Sequence, residues 1–314
     1  MGCLRQLEPT IAMARHQGIP VMLPIVDTLW KKLLRSHAHD SMGGCNSDAT
    51  NRDILHRLEQ TEQLCHSLWN LVVKSLAAAC CQEGDLLIFN PLAAPTRCVI
   101  HTTLYSRADN ITLTYQGQPL PFDVLERETL PGGTAIFLTC EGERETHLPP
   151  YFRWHVVLQT PLLPPVGYIT VNLKDTPAPF ARTCAAKGEA IENTVYRLTL
   201  EAGTLVLEDK RNARRITSLF SLEDCADAGD SYDFSPLPGD EPTRCAHFTL
   251  IDCSKTPLCQ TMVLEAVMSL PPDLAGRREN TRTPLSMRIV WELRHDDPNL
   301  HVDSSLVNSH CDHR

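Results

Sequence analysis

Near residue 85 the hydrophobic period of this chain changes from that of helices to that of strands. Upstream, Ile54, Leu55, Leu58, Thr61, Cys65, Leu68, Trp69, Val72, Val73 and Leu76 recur at three- and four-residue steps, the spacing of one helix face. Ser47-Asp48 ahead of them supply a cap and a carboxylate for the helix dipole. Leu4, Leu7, Ile11 and Ala14 predict an earlier helix, ended by Gly18 and Pro20 in "HQGIP". Another begins near Pro24, with Leu29, Trp30, Leu33, Leu34 and His37 on or near one face. Residues 1–82 therefore predict part of an antiparallel helix bundle.

Downstream the runs are short, alternating or β-branched. "DLLIFNPL", "CVIHTTLY", "ITLTYQGQPLPF", "TAIFLTC", "RWHVVLQ" and "VGYITVNL" are separated by Pro, Gly and Asn, which predicts a small antiparallel β domain over 83–175. A polar link, "KDTPAPFARTCAAKGEA", leads into further strand patterns, among them "NTVYRLTLEAGTLVLEDK", "RRITSLF", "FTLIDC", "QTMVLEAVMSL", "SMRIVWELR" and "NLHVDSSLV". These place the N-terminal part of a large β-sandwich over 176–314. The expected class is α+β: a helix-bundle segment, a small β domain and a truncated antiparallel β-sandwich. The chain stops at "SHCDHR" straight after a strand pattern, and a sandwich that ends on a strand leaves an edge unpaired. Both ends read as cut, so the isolated chain is expected to be marginally stable or prone to aggregate.

Charge and cysteine usage narrow the function classes. With 38 acidic against 29 basic residues, net charge −9, the chain lacks the basic excess that phosphate backbones require, so nucleic acid is not the expected partner. The longest apolar candidate, "LWNLVVKSLAAACC", is interrupted by Asn70 and Lys74, so no membrane span is expected. There is no secretory signal layout, and Gln6 stands where a myristoylation site requires Ser or Thr. Thirteen cysteines, an odd number with no Cys-x-x-Cys pair, then read as reduced thiols in a cytoplasmic protein. A homo-oligomer stays open.

One string stands apart. "LLRSHAHDSMGGCNSDATNRD" (33–53) sets His37, His39, Asp40, Gly43 and Gly44 between two helical patterns. Imidazole and carboxylate side chains at this spacing can ligate a divalent metal or move protons, but a metal needs at least three protein ligands and the rest must come from elsewhere. Gly43-Gly44 allow a sharp turn or a close approach. A polar turn whose histidines cap carbonyls accounts for the same residues.

"HAHDSMGGCNSD" resembles the His-Asp-Ser-Ile-Gly-Gly-type motif of glycoside hydrolase family 38, the α-mannosidases. "LEPTIAMA" and "LWKKLLRSHAHDS" look like that family's bundle helices. "LLIFNPLAAPTRCVI" looks like the start of its small β domain, and "IENTVYRLTLEAGTLVLEDK" like the start of its large sandwich. "DAGDSYDFSP" resembles a loop of that sandwich, and the final "DHR" also fits. The likeness is strongest to the bacterial cytoplasmic branch that cleaves mannosylglycerate.

The resemblance implies a retaining glycosidase with a carboxylate nucleophile and a carboxylic acid about 5 Å apart, and a divalent metal, usually zinc, holding the sugar's 2- and 3-hydroxyls. On that likeness His39 is a metal ligand, Asp40 binds sugar hydroxyls and His37 is structural or supports a ligand. Tyr232 would reach into the sugar pocket, while Asp230 and Asp233 either position its loop or cap a backbone turn. The partner is an α-mannoside bound by the full-length parent.

The family's N-terminal α/β domain, with its His-x-Asp metal pair, nucleophile and acid/base, has no counterpart here. One His-x-Asp of this chain, His301-Val302-Asp303, sits in a late strand pattern and substitutes poorly. No catalytic residue is therefore assigned, and the chain alone is expected to be inactive. Two other readings are a non-catalytic remnant that binds carbohydrate or a partner, and an all-helical metal phosphohydrolase using the His-Asp pair with His16 and Asp53.

Overall fold

The computed structural model describes residues 2–82, 84–176, 186–230 and 233–314. Two compact units result, Met1–Thr183 and Cys184–Arg314. The first opens with α1 (Gly2–His16), which buries Leu4, Leu7, Ile11 and Ala14, the stripe that spacing predicts. In α2 (Leu23–Arg35) Pro24 sits in the first turn, where a missing N–H breaks no helix bond, and Val26, Leu29 and Leu33 are buried. A helix of five residues, α3 (His39–Gly43), follows inside the segment expected to be a turn. Five residues are too few to show a helical period.

The longest helix, α4 (Asp48–Cys80), starts where the Ser47 hydroxyl accepts the Thr50 N–H at 3.3 Å. Ser47→Ala is expected to cost about 1 kcal/mol, the usual worth of such a cap. It should appear as a lower midpoint when chemical denaturation of the first unit is followed by far-UV circular dichroism. An unchanged midpoint would show the cap to be dispensable.

Among the described residues nine strands follow in this unit: β1 (Leu86–Asn90), β2 (Val99–Ser106), β3 (Ile111–Tyr115), β4 (Gln118–Pro119), β5 (Phe122–Leu130), β6 (Gly133–Thr139), β7 (Gly142–Leu148), β8 (Tyr151–Gln159) and β9 (Gly167–Asp175). They form antiparallel sheets in the orders β1-β9-β3-β4 and β2-β8-β5, plus the hairpin β6-β7. The two larger sheets face each other. Ile111, Leu113, Ile169 and Val171 of one meet Leu104, Val124, Trp154, Val156 and Leu158 of the other. β1 is apolar on both faces: Leu86 and Ile88 join that core, while Leu87 and Phe89 pack with Tyr168 on the helical core around Leu7, Leu29, Leu68 and Leu76. A strand covered on both sides has no polar face, so "LLIF" shows no alternation. The β6-β7 hairpin is the opposite case, pairing only with itself and leaving Ile136 66% and Leu138 86% exposed.

The second unit contains β10 (Ala186–Lys187), β11 (Ala190–Glu192), β12 (Tyr196–Glu201), β13 (Thr204–Asp209), β14 (Arg214–Thr217), β15 (Leu222–Asp224), β16 (Thr243–Cys245), β17 (Thr249–Lys255), β18 (Cys259–Leu270), the helix α5 (Leu274–Glu279), β19 (Thr283–Arg294) and β20 (His301–Leu306). Sheets of order β10-β17-β18-β19-β20 and β11-β12-β13-β14 pack face to face. Ile191, Leu198, Leu205 and Leu207 lie against Met262, Leu264, Ala266, Ile289, Trp291 and Leu293, the layering of a sandwich. The fold is α+β, as the change of period predicts.

The last residues do not prolong β20, which is an edge of its sheet. They turn back, so that Arg314 and Cys225 exchange backbone hydrogen bonds of 2.9 and 3.0 Å, and the Asp312 carbonyl accepts from the Asp227 N–H at 2.9 Å. No helix among the described residues is long and apolar enough to cross a membrane. The described cysteines are all free thiols. Burial, reinforced by a hydrogen bond with Cys3, pushes the Cys65 thiol up to about 12, which leaves it protonated and unreactive.

Candidate functional site

The string between α2 and α4 folds into a tight, backbone-bonded corner. Ser36 closes α2 and is buried, its N–H bonded to the Leu33 carbonyl at 2.9 Å. The His37 N–H bonds the Leu34 carbonyl at 3.0 Å, and this histidine is half-buried. Ala38 is extended (φ −56°, ψ 143°) and precedes α3, which therefore begins at His39. Gly44 ends it in the left-handed region with φ 74°, a conformation costly for any residue with a Cβ. Of the two glycines, Gly44 is thus the one whose conformation the turn requires.

The Asp40 carbonyl anchors this corner. It accepts the N–H of Gly44, the N–H of Cys45 at 3.2 Å and the Asn46 side-chain amide at 2.9 Å. The backbone is fixed by these bonds while the side chains of His39 and Asp40 stay outside, 94% and 66% exposed. His39 Nε2 lies 3.1 Å from Asp40 Oδ1. The result is one imidazole and one carboxylate on a rigid corner, open to a ligand.

A metal bound here would need more. Among the described residues no third imidazole, thiol or carboxylate gathers with His39 and Asp40. Since a zinc site takes at least three protein ligands, these two side chains do not fit the ion by themselves.

Tyr232 lies outside the described residues. Around it, Asp230 Oδ1 accepts the Asp233 N–H at 3.3 Å, which makes Asp230 a turn carboxylate. Asp227 was not visible as important from the sequence, yet its Oδ1 accepts the N–H groups of Gly229 and Ser235 at 2.9 and 3.1 Å. Those two backbone donors, Ser235 foremost, hold its carboxyl below the ordinary range. A Cβ on Gly229 would sit 1.9 Å from the Asp233 carbonyl oxygen, so only glycine fits there. An Asp two residues ahead of a Gly was the available signal.

In the His-x-Asp of β20, His301 Nε2 bonds the Asp297 carboxylate at 2.8 Å. His16 and Asp53 stand on α1 and α4 of a chain with more antiparallel strand than helix, which an all-helical phosphohydrolase does not have.

No family model and no curated protein matches the sequence. Solved structures do share its shape. An alpha-mannosidase from Enterococcus faecalis is 19% identical and superposes with a TM-score of 0.80 over 99% of this chain and 41% of its own. A protein in glycosyl hydrolase family 38 from Enterococcus faecalis is 17% identical, with a TM-score of 0.80 over 99% of this chain and 42% of its own. The chain thus spans about two-fifths of the length of either. Across almost all of its residues, the chain has the α+β fold of a part of these two structures, an alpha-mannosidase and a member of glycosyl hydrolase family 38.

Proposed function

We propose that this chain is a piece of a retaining α-mannosidase of glycoside hydrolase family 38 and supplies one wall of its sugar site. The observation that carries this reading is the exposed His39–Asp40 pair on a backbone-locked corner, within a fold matched along 99% of the chain. The Asp40 carbonyl is committed to the turn, so its carboxylate can accept hydroxyl hydrogens of the sugar. His39 would give one imidazole to a divalent ion, zinc by preference, whose remaining ligands belong to residues outside this chain. The nucleophile and acid/base carboxylates also lie outside it. The substrate is an α-mannoside, mannosylglycerate being the one the family likeness names. Free thiols throughout the described residues favour a reducing compartment, the cytoplasm.

On this reading the purified chain shows no turnover of an aryl α-mannoside, with or without added zinc. Clear hydrolysis by the chain alone would place the reacting carboxylates inside it and sink the proposed division. In a longer protein that carries the α/β domain, His39→Ala should lower kcat/KM about 100-fold, as loss of a metal ligand or its support commonly does. Activity within a factor of about two of the parent, far short of that loss, would remove His39 from the site.

A further inference from the structure

We infer that the groove between α2 and α4 binds a small phosphate-bearing anion. This goes beyond the mannosidase reading and does not depend on it. The groove has a volume of about 430 Å³, and its charged lining is Lys31, Lys32, Arg35, Asp53, His56 and Arg57. Four cations against one carboxylate leave three net positive charges with His56 neutral, in a chain whose total charge is −9.

The hydrogen bonds sharpen the ligand. Lys32 Nζ donates to Gln60 Oε1 at 3.0 Å, so the Gln60 amide nitrogen donates to His56 Nε2, 2.7 Å away. His56 Nε2 is therefore an acceptor, which puts the proton of the neutral ring on Nδ1 as a further donor. Arg57 spends one N–H on the Ser36 hydroxyl at 3.5 Å and keeps the rest of its fork. Lys31 and Arg35 make no ion pair or side-chain hydrogen bond among the described residues, and both are exposed. The groove thus offers donors in excess and little to accept them.

A ligand that suits it accepts hydrogen bonds only and carries at least two negative charges, which is the chemistry of a phosphate group. The dipole of α2 accounts for Lys32 and Arg35 in its last turn. It does not account for His56 and Arg57, which lie beyond the first turn of α4. Like charges four residues apart, as in Lys31 and Arg35, repel, and an anion between them removes that repulsion.

Titration of the full chain with inorganic pyrophosphate and with orthophosphate, by calorimetry at low salt, tests this. Saturable binding is expected, tighter for pyrophosphate because two phosphoryl groups can engage more of the cations. Lys31→Gln and Arg35→Gln, both exposed and so tolerated by the fold, should each weaken it about tenfold, the worth of one charge-assisted contact. Arg214→Gln, an exposed cation of β14, should leave it unchanged. Absence of pyrophosphate binding, or equal weakening by Arg214→Gln, overturns the proposal. So does a single-stranded oligonucleotide that outcompetes pyrophosphate in the same groove, since it would assign the site to nucleic acid instead.

Discussion

Arg277→Ala should destabilise the second unit by about 3–5 kcal/mol, the cost of removing one partner from a buried ion pair. The Arg277 side chain is 4% exposed and bridges Asp224, itself 5% exposed, and Asp240 at 2.9 Å. Burial pulls the guanidinium's pKa down, and the hydrogen bonds it donates to Asp224 and Asp240 more than offset it, so the net shift is upward. His313 Nδ1 touches the other oxygen of Asp224 at 2.5 Å, and Asp240 also accepts the Ala226 N–H at 2.7 Å. Deleting the guanidinium leaves two largely buried carboxylates without their shared cation, and of the two the His313 imidazole contacts only Asp224. Adding Asp224→Asn and Asp240→Asn to the alanine variant should recover part of the loss, because neutral amides no longer repel. A loss below about 1 kcal/mol in denaturant titration, the level of a surface pair, would show that water reaches the cluster.

The second large effect belongs to the first unit. Trp154 is fully buried in β8, the central strand of its sheet, between Val156 and Phe152 on the same face. Arg127 covers it from above, its guanidinium carbon 5.2 Å from the ring centroid. Truncation of a core Trp to Ala costs about 3–5 kcal/mol through lost transfer energy and the cavity left behind. For a unit of this size that corresponds to a melting temperature lower by about 10 °C. Trp154→Phe, which keeps an aromatic ring under Arg127, should lose less than half as much. Equal losses for the two variants would mean that the indole's volume is not what holds the sheets together.

Neither residue could be ranked from the sequence. Trp154 sits in "RWHVVLQ", readable as a strand, but nothing in the alternation says that its strand is the middle one. Arg277 falls in "AGRREN", beside a second arginine that is exposed, and its acidic partners are 37 and 53 residues away. Long periodic segments were legible because burial imposes their period: α1, α2 and α4, and strands such as β2, β8, β18 and β19. Elements held without a buried face were not. The charged β7 is hydrogen-bonded to β6 with all but one of its residues exposed, and α3 is a single turn set by Gly44 rather than by apolar spacing. The sequence singled out His39, Asp40 and the glycines because such residues interrupt helices for a reason, and the structure shows that reason to include the Asp40 carbonyl as a backbone anchor. The Asp227 loop bonds escaped because a turn carboxylate has no pattern beyond its neighbouring glycine.

The doubly covered β1 has one more consequence. In most strands the alternation of polar and apolar residues fixes the pairing register, since a slip of one residue turns every side chain to the wrong face. With apolar residues on both faces, "LLIF" would lose little by slipping, and its hydrophobic pattern cannot tell one register from the next. The register is instead set at its end. Asn90, 1% exposed, donates to the carbonyls of Ala94 and Pro164 at 2.9 Å each and accepts the Leu92 N–H at 3.1 Å. The bonds with Ala94 and Leu92 are local and hold the amide in place, while the bond across to Pro164 ties Asn90 to the segment entering β9, where Asn90 lies opposite Gly167. The asparagine in "LLIFNP" thus acts as the index mark of an otherwise unmarked strand, and through β1 it aligns the sheet with the helices stacked on its outer face.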